Sequence, residues 1–161
     1  MVKLVTILLV AILLLGPAWS KASVSSIRSK IAQVANNKVG STHWSYASSC
    51  CHGANTNKCN YFVYDVGKEA GAKMPTRYFG FGGPVGAGAG GWGKASSLNY
   101  WSKVSSRQAG DIVAGHKSGT YHVGIYVGSN MVVSANSQNI GKNANMFTQG
   151  YQDLVYWRYQ G

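Results

Sequence analysis

Midway along the chain the spacing of apolar residues changes from helical to β-like, and that change constrains the fold more than any other feature. Cys59, Phe62, Val63, Val66 and Ala70 fall on one stripe of a helix that Gly71 ends. Ahead of it, Val24, Ile27, Ile31, Val34 and Ala35 form a second stripe, with Ser23 or Ser25 available as N-cap and a stop near Gly40. Behind it, residues 112–114, 123–127, 131–135 and 154–159 read as strands, and Gly128-Ser129-Asn130 as a hairpin loop between two of them. Helices first and antiparallel strands afterwards predict an α+β domain. Residues 41–58 and the glycine-dense 77–94 read as loops. Gly88-Ala-Gly-Gly-Trp-Gly93 fits G-x-G-x-x-G, but a dinucleotide-binding turn needs a strand before it and a helix after it. The pattern predicts neither, so that reading is rejected.

The first twenty residues stand apart. Lys3 precedes an aliphatic run over residues 4–15 broken only by Thr6, then Gly16-Pro17, with Ala18 and Ser20 small at −3 and −1. This reads as a signal peptide over residues 1–20, with Ala22 as the rival cleavage site, leaving a secreted domain over 21–161. The run is too short to span a bilayer comfortably and no second one follows, so no membrane span is expected. Removing Lys3 leaves 14 basic against 4 acidic residues, a charge of +10. Long-range attraction then favours anionic polymers. A secreted address and scattered basic residues argue against nucleic acid and leave envelope polymers, or a charge that only aids solubility.

The acids are few. Asp65 and Glu69 lie on the helix face away from the apolar stripe, where bridging to Lys68 or Lys73 is expected in place of paired-carboxylate hydrolysis. Asp111 reads as a turn former. His43 and His52 flank Cys50 and Cys51 with none of the standard zinc spacings, so neither metal nor cofactor is expected. The adjacent cysteines admit a vicinal bridge, two free thiols, or one pairing with Cys59. Cys59 opens a helix beside Lys58, with Asn57 at the expected N-cap, and both the helix start and the lysine favour the nucleophilic thiolate. His122 opens the most regular strand, from where it can face a helix end as a base.

Lys58-Cys-Asn-Tyr-Phe-Val-Tyr-Asp-Val66, then Ala109-Gly-Asp-Ile-Val113 and His122-Val-Gly-Ile-Tyr-Val-Gly128, resemble the NlpC-type and CHAP-type peptidoglycan amidases, papain-like enzymes in which a helix-opening cysteine faces a strand-borne histidine. The closing Val155-Tyr-Trp-Arg-Tyr159 is similar to their final strand. The compact Lys-Cys-Asn-x-Phe-Val form looks closest to amidase effectors of type VI secretion, and the leader points to their secreted, domesticated relatives in eukaryotes. An exported bacterial wall hydrolase is the other possibility.

The resemblance implies a papain-like NlpC-type fold and a catalytic pair of Cys59 and His122. It also implies a polar residue on the next strand that orients the histidine. Counting along the motif reaches Ser134, but Asn136, two residues on and on the same strand face, offers an amide oxygen that fixes the imidazole tautomer better, so Asn136 is preferred. The Cys59 backbone N–H and Tyr46 are the implied oxyanion donors, and Trp92 is the aromatic expected to line a substrate groove. The implied activity is hydrolysis of a stem or cross-link peptide bond in bacterial peptidoglycan, with no cofactor and with an immunity protein as partner if the chain is an effector. The competing reading is a non-enzymatic cationic protein that binds envelopes or membranes and keeps Cys59 locked in a disulfide.

Overall fold

A computed structural model describes residues 22–78, 84–86 and 88–161; the proposed leader and its cleavage site lie outside them. Helix α1 (Val24–Asn37) begins where Ser23 Oγ accepts the Ser26 N–H at 3.1 Å, the N-cap expected of a serine. Helix α2 (Cys59–Ala70) ends on Gly71, whose φ of 89° is left-handed, as a glycine C-cap requires. A short hairpin of β1 (Thr76–Tyr78) and β2 (Pro84–Gly86) follows, then α3 (Ala89–Lys94). The remainder is β3 (Trp101–Val104), β4 (Ile112–Lys117), β5 (Thr120–Gly128), β6 (Met131–Ala135), β7 (Ile140–Asn143), the one-turn α4 (Asn145–Thr148) and β8 (Gln152–Tyr159).

The larger sheet is antiparallel throughout, in the order β3-β8-β4-β5-β6-β7. The fold is α+β, as the change of apolar period predicts. Between β5 and β6 the loop is Ser129-Asn130, both left-handed at φ 51° and 56°, the two-residue turn that matches strand twist. The β4–β5 turn repeats this with Ser118 and Gly119 at 50° and 78°. The two strands therefore run deeper into the polar segment 116–120 than the sequence suggests.

One face of the sheet carries the main core. Phe62, Val63 and Val66 of α2, Ile31 and Ala35 of α1, and Ile112, Val123, Ile125 and Val133 of the sheet are all fully buried. Each such aliphatic or aromatic side chain contributes about 1.5–3 kcal/mol through burial, so the stripe on α2 fixes which way its first residue points. A smaller cluster of Val113, Tyr126, Val132 and Met146 seals α4 to the sheet.

Several polar expectations are revised. Asp65 accepts the Trp44 indole N–H at 2.8 Å, and Glu69 pairs with Lys38 at 2.8 Å, because the loop after α1 folds back over α2 and brings closer partners than Lys68 or Lys73. Asp111 does hold its turn, accepting the Gln108 N–H at 2.6 Å, but it is also fully buried against Arg158 in a two-point pair at 2.9 and 2.8 Å. That pair locks β8 to the entrance of β4. The Gly88–Gly93 segment is itself helix α3, so its glycines lie within the helix and not in a phosphate-binding turn ahead of it. Gly93 permits close contact, since a β-carbon there would collide with the Tyr121 ring.

Candidate active site

Cys59 is the first residue of α2, and Lys58, not Asn57, occupies the N-cap position. The Lys58 side chain does not cap the helix. Its ammonium is drawn back into the loop, donating to the carbonyls of Ser45 at 3.1 Å, Tyr46 at 3.3 Å and Thr56 at 3.1 Å, and the residue is only 2% exposed. Lys58 therefore braces the 41–58 loop and does not activate its neighbour, as the sequence suggested it would. Cys59 is 6% exposed, and its thiol is free, as are those of half-buried Cys50 and exposed Cys51. Burial pushes its pKa up, while the backbone N–H groups of Val123, Asn60 and Cys59 itself pull it down. The net shift is upward.

His122 is the third residue of β5 and lies across from Gly115 of β4. Desolvation holds its imidazole down at about 4. The buried Cys59 thiol and the half-buried His122 imidazole are both uncharged at neutral pH. A neutral imidazole of this kind can act as a proton acceptor.

The β5–β6 register, Ile125 with Val133 and Tyr126 with Val132, extends by the same count to Gly124 with Ser134 and, past the end of β6, would align His122 with Asn136. The first of these is seen directly: a β-carbon on Gly124 would sit 3.0 Å from Ser134 Cβ. Ser134 is 4% exposed, pairs with Gly141 across β6–β7 and does not line the cleft. Asn136, just past the end of β6, does line it. Its backbone N–H donates to Asn139 O at 2.9 Å, which anchors the start of that turn.

These elements enclose a cavity of about 410 Å³ whose walls include Tyr46, Asn57, Cys59, His122, Asn136 and Tyr151, a size suited to a peptide-sized group. Tyr46 is 44% exposed. Its N–H donates to Ser137 O at 2.8 Å and its carbonyl accepts from Asn55 N–H at 2.7 Å, so it ties the 41–58 loop to the turn that carries Asn136. Trp92 is a correction. It is 1% exposed, away from the cleft, edge-on to Trp101 at 5.3 Å and Trp157 at 6.4 Å, with its carbonyl accepting the Trp157 indole N–H at 2.7 Å. Folding of the glycine segment into α3 turned the indole into the core.

Tyr151 was missed by sequence reasoning. Its ring lies 6.1 Å from the His122 ring, and its hydroxyl pKa is raised by burial and then by the nearby Cys59 sulfur. It belongs to no motif and sits in the turn between α4 and β8, so no spacing or period singled it out. Elsewhere, ligand atoms of His43, Cys50 and Cys51 lie within 4.8 Å of one another, whereas His52 stacks near Tyr61 at 6.3 Å. Among the described residues no helix is long and apolar enough to cross a membrane.

The model of the NlpC/P60 family matches residues 51–159. That span takes in α2, the whole larger sheet, Cys59, His122 and Asn136. No curated protein and no solved structure matches the chain.

Proposed function

The chain belongs to the NlpC/P60 family of cysteine peptidases, and from that premise we propose that it is a secreted amidase cutting peptide bonds, stem or cross-link, of bacterial peptidoglycan. The observation that carries the proposal is convergence: Cys59 from α2, His122 from β5 and Asn136 from the end of β6 line one cavity. His122 takes the thiol proton as Cys59 Sγ attacks the scissile carbonyl. The oxyanion is held by the backbone N–H of Cys59, at a helix start, and by the Tyr46 hydroxyl. His122 returns the proton to the leaving amine, and water then releases the acid from the thioester. Asn136 keeps the imidazole in the productive tautomer. The surplus of basic residues draws the enzyme to anionic walls, giving a salt-sensitive encounter rate. The resemblance to type VI amidase effectors and their secreted relatives adds an antibacterial role to this proposal.

The test is release of muropeptides from purified bacterial walls, read by mass spectrometry. Cys59→Ala is expected to abolish release while the protein stays folded, since Ala is well suited to a first helical turn. Release near the wild-type rate by the alanine variant would sink the assignment.

A further inference from the structure

Outside the cleft, the described residues include a cluster of metal-ligating side chains. His43, Cys50 and Cys51 are 7 and 8 residues apart in sequence, yet the loop between α1 and α2 folds so that one ligand atom of each lies within 4.8 Å of the other two. Cys51 adopts a left-handed φ of 64° and Asn55 one of 62°, and the Gly53 N–H donates to Cys50 O at 3.1 Å, which turns the chain tightly around the two thiols. We propose that His43, Cys50 and Cys51 form a binding site for a thiophilic divalent cation of the zinc class.

Geometry favours a cation over a bond between the two sulfurs. Adjacent α-carbons stand only ~3.8 Å apart, closer than an ordinary disulfide prefers. A tetrahedral zinc ion instead needs its sulfurs about 3.8 Å apart and each sulfur about 3.6 Å from the imidazole nitrogen. From a spread of at most 4.8 Å, that asks for shifts of roughly 1 Å in partly exposed side chains. Two thiolates and an imidazole are also the soft donor set that selects zinc-like ions over calcium or magnesium. Two thiolate charges cancel the divalent charge, so the filled site carries no net charge. The ion would cross-link the loop whose Tyr46 faces the cleft. It is a loop clamp, separate from the catalytic pair.

Cobalt(II) titration of reduced protein, kept anaerobic and freed of reductant, tests this directly. One equivalent is expected to bind, with sulfur-to-cobalt charge-transfer absorption and the visible bands of a tetrahedral ion. Cys59→Ala should bind equally well. Cys51→Ser and His43→Ala should bind at least ~100-fold more weakly, since even outer-sphere losses reach that size. His43→Cys should restore binding with stronger charge transfer, which separates lost ligation from misfolding. Absent charge transfer, or a spectrum that survives Cys51→Ser, overturns the proposal. So does a spectrum lost in Cys59→Ala, which would place the ion on the catalytic pair. None of these outcomes depends on peptidoglycan hydrolysis.

Discussion

Acidification should unfold this protein partly through one side chain. Burial holds His122 at about 4 in the folded state, against 6.5 for a free imidazole. Between those values the unfolded chain binds a proton that the folded chain refuses. Stability is therefore full above about pH 6.5 and falls as pH drops toward 4, at up to 1.4 kcal/mol per pH unit. From pH 7.5 to 4.5 the two titration curves differ by about 2.5 kcal/mol, an upper value because solvent reaches the half-buried ring through the cleft. The perturbation is His122→Asn, which keeps a polar planar side chain but does not titrate. Urea unfolding of both proteins at pH 7.5 and 4.5 gives four free energies. Every other titrating group is common to both proteins and cancels in the double difference.

Wild type is expected to lose about 1–2.5 kcal/mol more than the variant on acidification. A double difference under about 0.5 kcal/mol would refute the claim that His122 is desolvated in the resting enzyme. The same shift predicts that the acid limb of kcat/KM lies well below 6.5, since the base form of His122 persists to low pH.

Asn136→Ala should lower kcat on the order of tenfold to a thousandfold with KM nearly unchanged, while Ser134→Ala, shut away against Gly124, should leave the rate near wild type; steady-state kinetics on a muropeptide substrate decide it, and the reverse pattern would move the orienting role to Ser134. Lys58→Met should cost about 2–4 kcal/mol in urea unfolding, because three loop carbonyls lose one charged donor; a loss under about 0.5 kcal/mol would mean the loop is held by other contacts.

What was legible in the sequence follows from how many neighbours each element has. α1, α2, β4, β5, β6 and β8 are covered on at least one broad face, so their apolar period is strong and they were found. Of the missed strands, β1 and β2 form the separate short hairpin, and β3 and β7 are the two edges of the larger sheet. Each has one paired side, and their residues, Trp101-Ser-Lys-Val104 and Ile140-Gly-Lys-Asn143, show a buried residue only at the first position. A single buried anchor carries no period. The same argument covers Trp92: an aromatic in a glycine-rich segment reads as loop until a neighbouring strand gives it Trp101 and Trp157 to pack against.

The site divides along a similar line. The placement of Cys59 and His122 at one cleft could be read because each sits at a fixed place on an element that the apolar pattern already located. Residues placed by tertiary contact alone could not. Lys58 looked like an activating charge because sequence adjacency to Cys59 was the only distance available, whereas three carbonyls from the folded loop take its ammonium elsewhere. Asn136 and Ser134 were inseparable on parity, since both fall on one strand face. Their places differ by where β6 stops: Ser134 is still paired with Gly141 inside the sheet, and Asn136 is one step beyond the last paired residue, at the cleft wall. A strand end is set by the partner strand's length, and that information lies in β7, the element whose own sequence signal is weakest.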